Sequence, residues 1–152
     1  MTDLPRLAEE RGYLAIHGTF RDRLGPNGEL MELPVDGCLD DTFPIMAWVT
    51  RTGGACCDKI ALAHKSVPIH SGHHEADGIN GDTQLWRDLV EVHHFKWVKG
   101  LPDLLMTRHR HYTAQRLWWA GESKGFVDMM KDERFDLSDE RLHAMPARRL
   151  GI

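Results

Sequence analysis

Apolar and polar residues alternate with period two over two segments of the chain, residues 13–20 and residues 89–97. Successive side chains of a strand point to opposite faces, so this alternation predicts two β-strands. Shorter apolar segments at residues 59–64 and 67–70 predict two further strands. Most of the strand-forming sequence therefore lies in the first two thirds of the chain.

A helical spacing of apolar residues is found near both ends of the chain. Residues 4–11 have this spacing and predict a short helix that ends at Gly12. From residue 101 onwards the spacing predicts one helix, a second at residues 114–131 and a short one at residues 138–144. Strands followed by helices are typical of an α/β or α+β domain, here with the helices gathered towards the C-terminus.

With 152 residues the chain has the length of one domain, and we expect residues 1–152 to form one. Its 41% hydrophobic and 28% charged residues are typical of a globular protein. The net charge of −4 argues against a nucleic-acid-binding protein. No apolar segment has the roughly 20 residues of a transmembrane helix. Three cysteines without a disulfide pattern, and no secretory signal, predict a cytoplasmic protein.

Histidine is the chemically unusual residue, with ten in the chain and eight of them between residues 64 and 111. Neutral imidazole is the commonest metal ligand and titrates near neutral pH, so this concentration favours a metal or catalytic site. His93 and His94 lie in the predicted strand at residues 89–97, where alternation turns them to opposite faces. One of the two rings is then placed to bind a metal in a cleft. The alternative is a pair of surface histidines at the end of a strand.

Other candidate residues also have two interpretations. His73 and His74 lie in a glycine-flanked loop with nearby carboxylates, where they can bind a metal or act as a base, unless the loop is simply solvated. Trp118 and Trp119 can stack on a sugar ring, but their spacing also suits a helix core. The basic residues of the C-terminal third can attract a diphosphate or an anionic lipid surface, or form a charged helix face.

Several motifs follow one another along the chain in the order found in a known enzyme family. They are Gly18–Arg23, Phe43-Pro44, the segment Asp58–Ala63, the loop Gly72-His73-His74, the signature Val92–Trp97, the helix Leu101–Arg108 and the ending Phe135–Asp139. With these motifs the chain resembles the C-terminal half of bacterial family 2 glycosyltransferases of the GT-A fold, in the branch with a His-His-Phe-Lys-Trp signature. The resemblance covers roughly residues 12 to 140.

The resemblance implies transfer of a sugar from a nucleotide-sugar donor to a hydroxyl group of a glycan or lipid-linked acceptor. It also implies a divalent metal, Mn²⁺ or Mg²⁺, which stabilises the charge on the leaving nucleotide. By this match His94 is the metal ligand and His93 is its partner or replacement, while Lys96 neutralises the diphosphate. The remaining site residues that we expect are Asp22 and His74 for catalysis and Arg23, Trp97 and Arg108 for substrate binding.

The chain departs from the family pattern on the donor side. In the family, an Asp-x-Asp metal element and the nucleotide-binding strands precede the Asp-Arg strand, whereas Asp22 lies close to Met1 here. We therefore expect a partial GT-A-like mixed sheet in a truncated or split enzyme, completed by a separate donor-binding polypeptide or by self-association. A lipid-linked acceptor would place the protein peripherally at the inner membrane surface.

Two interpretations without sugar transfer remain open. The histidines of the loop and of the strand could together supply the three ligands of a catalytic zinc and leave one position open, as in a metal-dependent hydrolase. The chain could otherwise be a non-catalytic binding module. Asp22 and Arg23 also have a structural interpretation, in which one charge is exposed and the other forms a buried ion pair.

Overall fold

The structure is a computed structural model that describes residues 3–79 and 85–143, with the side chains of residues 85–89 outside the description. It has a mixed α/β fold, which confirms the predicted fold class. The helices are α1 (Leu4–Glu10), α2 (Leu39–Thr42), α3 (Val49–Thr52), α4 (Leu101–Ala114) and α5 (Ala120–Asp128). The strands are β1 (Ala15–Leu24), β2 (Ile45–Ala47), β3 (Asp58–Ala63), β4 (Leu85–His94), β5 (Met130–Lys131) and β6 (Arg134–Phe135). Within the described ranges, no helix is long and apolar enough to span a membrane.

The described residues divide into two compact units, where chain length alone predicted one domain. The first unit is built from residues 3–20, 56–79 and 85–92, and the second from residues 21–55 and 93–143. β1 and β4 each begin in the first unit and end in the second. Each unit is therefore assembled from segments that are far apart in the sequence.

The first unit is organised around the first half of β1, which pairs antiparallel with β3 and places Gly18 opposite Lys59. β4 also pairs with β1. A Cβ atom built on Gly18 would lie only 2.4 Å from Cγ2 of Val92. Since such a distance is too short for a real side chain, glycine at this position allows β4 to lie against β1.

The second unit contains the larger apolar core, with Trp97 at its centre. Trp97 contacts Phe126 and Phe135 edge to face, with ring centroids 5.1 Å apart in each pair. The other buried members of this core are Leu24, Leu30, Ala47, Val49, Leu101, Leu105 and Leu142. α4 and α5 pack on each other within the same unit. The C-terminal helices and the end of β1 thus share one core.

Three predicted elements agree closely with the structure. The helix predicted at residues 4–11 corresponds to α1, the strand predicted at residues 59–64 to β3, and the helix predicted from residue 101 to α4. α1 begins with a capping hydrogen bond, because the side chain of Asp3 accepts the backbone N–H of Arg6. These elements were predictable because their signals are local.

The predicted strands differ from the structure in their extent. β1 continues beyond residue 20 to Leu24, because its last three residues pair with β2. The strand predicted at residues 67–70 is wrong, since Ile69 forms only an isolated bridge with Ala76 and the segment remains a loop. In both cases the extent of the strand depends on whether a partner strand lies beside it.

The predicted C-terminal helices are shorter than expected. α5 begins at Ala120 rather than near residue 114, because α4 ends in a turn where Arg116 has a positive φ of 56°. The last predicted helix is a single 3-10 turn at Glu140–Leu142. The two longest helices nevertheless lie towards the C-terminus, as predicted.

Candidate functional site

Asp22 lies at the centre of the candidate site, on β1 opposite Ala47 of β2, with 0% exposure. A carboxylate shielded from water is stable only when its oxygens accept several hydrogen bonds. Oδ1 accepts from the Thr50 hydroxyl at 2.7 Å, from Nε1 of Trp97 at 2.7 Å and from Nδ1 of His94 at 2.9 Å. Oδ2 accepts from the backbone N–H of Thr50 at 2.7 Å. The buried charge is thus fully hydrogen-bonded within the second unit.

Thr50 is buried in the first turn of α3, where its contact with Asp22 replaces a helix cap. The first backbone N–H groups of a helix have no partner within the helix. Trp48, the N-cap residue, makes no capping hydrogen bond with its side chain. The Asp22 carboxylate accepts both the N–H and the hydroxyl of Thr50 instead. Asp22 and the start of α3 therefore stabilise each other.

His94 is the last residue of β4, and its imidazole is 22% exposed. An ionised carboxylate only accepts hydrogen bonds, so the contact with Asp22 places the ring hydrogen of His94 on Nδ1 and the lone pair on Nε2. Proteins orient metal-binding histidines in this way, with a carboxylate on the ring nitrogen that does not bind the metal. They orient histidines that act as general bases in the same way. The geometry fits either role.

Arg23, Asp40 and His93 form a second cluster. Arg23 is 6% exposed, and its Nη2 lies 2.7 Å from Oδ1 of Asp40 on α2. Nδ1 of His93 lies 3.9 Å from the same oxygen. Because neighbouring residues of a strand face opposite sides, Asp22 with His94 and Arg23 with His93 make two separate clusters. His93 thus faces a different carboxylate from His94. Both Asp22 and Arg23 are buried, whereas the structural interpretation of this pair expected one of the two charges to be exposed.

Two of the predicted site residues are fully buried. Asp22 has 0% exposure, and its carboxylate contacts Nδ1 of His94, so its observed contact is one that positions the imidazole. Trp97 is likewise 0% exposed, and its indole N–H is donated to Asp22. The Trp97 ring is a core residue that holds the carboxylate in place, and its substrate-binding role stays a prediction.

Two of the three cations predicted to bind substrate, Lys96 and Arg108, are held by aromatic rings. Nζ of Lys96 lies 4.6 Å from the ring centroids of Trp97 and of Phe126. The guanidinium of Arg108 lies 5.3 Å from the Tyr112 ring centroid, and its Nη2 is 2.9 Å from a carboxylate oxygen of Glu122. Contacts of this kind fix a cation through its attraction to the ring face.

The histidine loop belongs to the first unit, where it docks on β3. His74 donates its Nδ1 hydrogen to the backbone carbonyl of Asp58 at 2.8 Å, so that its lone pair lies on Nε2. His73 has a positive φ of 60°, and its carbonyl accepts the N–H of Ile60 at 2.7 Å. His70 donates to Asp77 at 2.8 Å, and this hydrogen bond raises the pKa of His70. The histidines thus hold the loop by hydrogen bonds, while most of its residues are exposed to solvent.

Two residues of the site were not predicted from the sequence. Thr50 gives no local signal, because its importance depends on β1 lying next to α3. Asp40 belongs to none of the motifs in the sequence. Asp40 contacts the buried Arg23, which lies 17 residues earlier in the sequence. Helix and strand spacing cannot predict a contact over that separation.

His94 can supply one ligand of a metal site, but the described residues do not supply the others. Across residues 3–79 and 85–143, no group of three or more His, Cys, Asp or Glu side chains is placed to hold a metal ion. Comparison with protein-family models, curated proteins and solved structures finds no match to this chain. Function is therefore inferred from the geometry of the site and from the resemblance of its motifs.

Proposed function

We propose that this chain supplies the acceptor side and one metal-binding histidine of a GT-A-type glycosyltransferase. The observation that carries the proposal is the hydrogen bond between the buried Asp22 carboxylate and Nδ1 of His94, which leaves the lone pair on Nε2. His94 is the residue to which the resemblance assigns a metal. Motif and geometry therefore support the same atom as the ligand.

In the proposed reaction, an acceptor hydroxyl attacks the anomeric carbon of a nucleotide-sugar, and the nucleoside diphosphate leaves. A divalent metal, Mn²⁺ or Mg²⁺, supplies positive charge to the leaving diphosphate when it is bound. Asp22 keeps the His94 ring in one orientation, and Thr50 and Trp97 keep Asp22 in place. Lys96 adds a second positive charge next to the same core, for the diphosphate.

His74 is the residue that we propose as the base for the acceptor hydroxyl. Its Nδ1 is engaged by the Asp58 carbonyl, so Nε2 is the atom that would accept the proton. Asp22 cannot serve as the base, since it is fully buried. We assign Arg23 and Arg108 to binding of the acceptor, a glycan or a lipid-linked molecule, in the cytoplasm.

The donor side requires further acidic ligands for the metal. The sequence contains no Asp-x-Asp element, and one histidine alone gives only weak metal affinity. We propose that a separate donor-binding polypeptide, or a second copy of this chain, contributes the remaining ligands. The isolated chain is then expected to bind a metal–nucleotide complex weakly and to transfer sugar only when completed.

Titration calorimetry with Mn²⁺ and a nucleoside diphosphate tests this function. The wild-type chain should bind the two together weakly, and His94→Ala should reduce the affinity at least tenfold. Asp22→Asn should reduce it by about 10- to 100-fold, the usual effect of losing the partner of a metal-binding histidine.

His109→Ala is the matched control for these variants. His109 also donates its Nδ1 hydrogen to an oxygen of the second unit, the Ala120 carbonyl at 2.8 Å, but it belongs to neither cluster. Equal losses in His94→Ala and His109→Ala would refute the assignment. Stoichiometric zinc that survives dialysis would instead favour the metal-dependent hydrolase.

A further inference from the structure

The end of α4 and the turn that follows carry a concentration of positive charge. From residue 104 to residue 121 the sequence has three arginines and two histidines but no aspartate or glutamate, in a chain whose net charge is −4. Arg108 is already paired with Glu122. Arg110 and Arg116 are both exposed. This segment is thus basic, although the chain as a whole is acidic.

An unusual helix end presents this surface. α4 ends with two hydrogen bonds, from Leu117 N–H to the Tyr112 carbonyl at 2.9 Å and from Arg116 N–H to the Thr113 carbonyl at 3.0 Å. This is the Schellman pattern, in which the residue at the position of Arg116 is usually glycine because its φ is positive. Here φ is 56° and the residue carries a guanidinium. The turn therefore has an arginine at a backbone position that glycine would adopt with less strain.

The same turn exposes a tryptophan. Trp118 is 82% exposed, so the alternative that placed it in a helix core is wrong for this residue. Trp119 is partly buried, with its ring centroid 6.0 Å from Tyr112 and 5.2 Å from Trp118. The Trp118 ring thus contacts the partly buried Trp119 ring and remains largely exposed to solvent.

We propose that Arg110, Arg116 and Trp118, called here the Trp118 corner, dock the protein on an anionic lipid bilayer. Exposed arginines are attracted to acidic headgroups, and tryptophan favours the boundary between headgroups and acyl chains because its ring is apolar with one polar edge. The inference is independent of sugar transfer, although such docking would bring the protein to a lipid-linked acceptor.

An anionic bilayer fits this surface better than a nucleic acid does. A nucleic-acid site extends basic residues along a groove or a helix face to follow many phosphates. The Trp118 corner has two exposed arginines and one exposed indole within nine residues, in a chain that is acidic overall. Few cations beside an exposed tryptophan suit weak, reversible membrane contact better than the tracking of many phosphates.

Co-sedimentation of the whole chain with vesicles tests the proposal. Vesicles of phosphatidylcholine with phosphatidylglycerol should bind it, vesicles of phosphatidylcholine alone should not, and salt should weaken the binding. Arg116→Gly should lower the partition coefficient about fivefold, the effect of one arginine near the surface. Since glycine suits the positive φ, this variant should be at least as stable as the wild type.

Further variants distinguish binding through the Trp118 corner from nonspecific binding to vesicles. Trp118→Ser should abolish most of the binding and the blue shift of tryptophan fluorescence on vesicles. Arg51→Gln, at an exposed arginine elsewhere, and Val35→Ser, at a side chain that is 97% exposed, should leave binding unchanged.

Three results would overturn the proposal. The first is absence of binding to anionic vesicles, and the second is binding that Arg116→Gly and Trp118→Ser leave intact. The third is capture of single-stranded RNA, or dimerisation through Trp118, without vesicle binding. Each would assign the surface to a different partner or to none.

Discussion

At the scale of single residues, the most consequential group is the buried carboxylate of Asp22. Asp22→Asn keeps the size of the side chain but replaces one acceptor oxygen with a donor NH₂ group. At least one of the donors on Thr50, Trp97 and His94 then loses its partner around a fully buried side chain. We expect a loss of about 3 kcal/mol in the free energy of unfolding.

Urea denaturation measures this change as a shift in the midpoint at unchanged slope. Asp41→Asn is the control, because Asp41 is exposed and its substitution should change stability by less than about 0.5 kcal/mol. If the two variants were equally stable, Asp22 would not hold the site together.

The sequence allows part of this residue-level picture to be predicted. Alternation along β4 correctly separates His93 from His94, because side-chain direction in a strand depends only on position. It does not reveal which acid lies behind each ring, since His94 and Asp22 are 72 residues apart. The resemblance named both residues, but only the structure shows that one positions the other.

At the scale of elements, close contact between α3 and α5 depends on a glycine. A Cβ atom on Gly53, just after α3, would lie 2.2 Å from Cε1 of Phe126, whose ring is fully buried. Gly53→Ala is therefore expected to destabilise the protein by about 2 kcal/mol through overpacking. Thermal unfolding monitored by circular dichroism measures this effect.

Gly121→Ala is the matched control for that substitution. Gly121 lies in α5 with nothing within 4 Å of a built Cβ, so alanine should stabilise the protein by about 0.5 kcal/mol. Opposite signs for the two glycines are the expected result. Two stabilising substitutions would show that Phe126 can move away.

The loop between β3 and β4 has a pH dependence that follows from His70. Its pKa is raised above the ordinary 6.5, mainly by the hydrogen bond to Asp77 and then by the charges of Asp77 and Glu75. A raised pKa in the folded state contributes stability below pH 6.5, and the contribution disappears as pH rises through the folded pKa. Exchange of the Asp77 amide, which bonds to the Pro68 carbonyl, should therefore accelerate with pH beyond its intrinsic rate.

Nuclear magnetic resonance titration of the His70 ring checks this directly. Asp77→Asn should lower the pKa of His70 more than Glu75→Gln does, because Asp77 lies 2.8 Å from the ring and Glu75 lies 3.6 Å away. The reverse order would contradict the assigned cause. The glycines predicted that this segment is a loop, but they did not predict the contacts of His70 within it.

At the scale of the whole molecule, exposed apolar residues on strands predict self-association. Met46 on β2 is 44% exposed and Leu62 on β3 is 40% exposed. Apolar strands of this kind tend to pair with another chain. Sedimentation at increasing concentration should show dimers, and Leu62→Lys should reduce them while Leu33→Lys, in an exposed loop, should not. A monomer at all concentrations would count against completion of the site by a second copy.

The division into two units was not predictable from length or composition. Each unit combines distant segments, because β1 and β4 run through both. Helix spacing and strand alternation are local and predicted the fold class, whereas the partners of β1 depend on the packing of the whole chain. The same limit explains why the site was predicted as single residues and not as two clusters.

We propose above that Asp22 holds His94 in the form that offers Nε2 to a divalent ion. Nuclear magnetic resonance of the chain labelled with ¹⁵N in its histidine rings measures the position of this ring hydrogen. We expect His94 to carry its hydrogen on Nδ1, and Mn²⁺ with a nucleoside diphosphate to broaden its ring signals well before those of His109. A hydrogen on Nε2 of His94, or equal broadening of both rings, would contradict it.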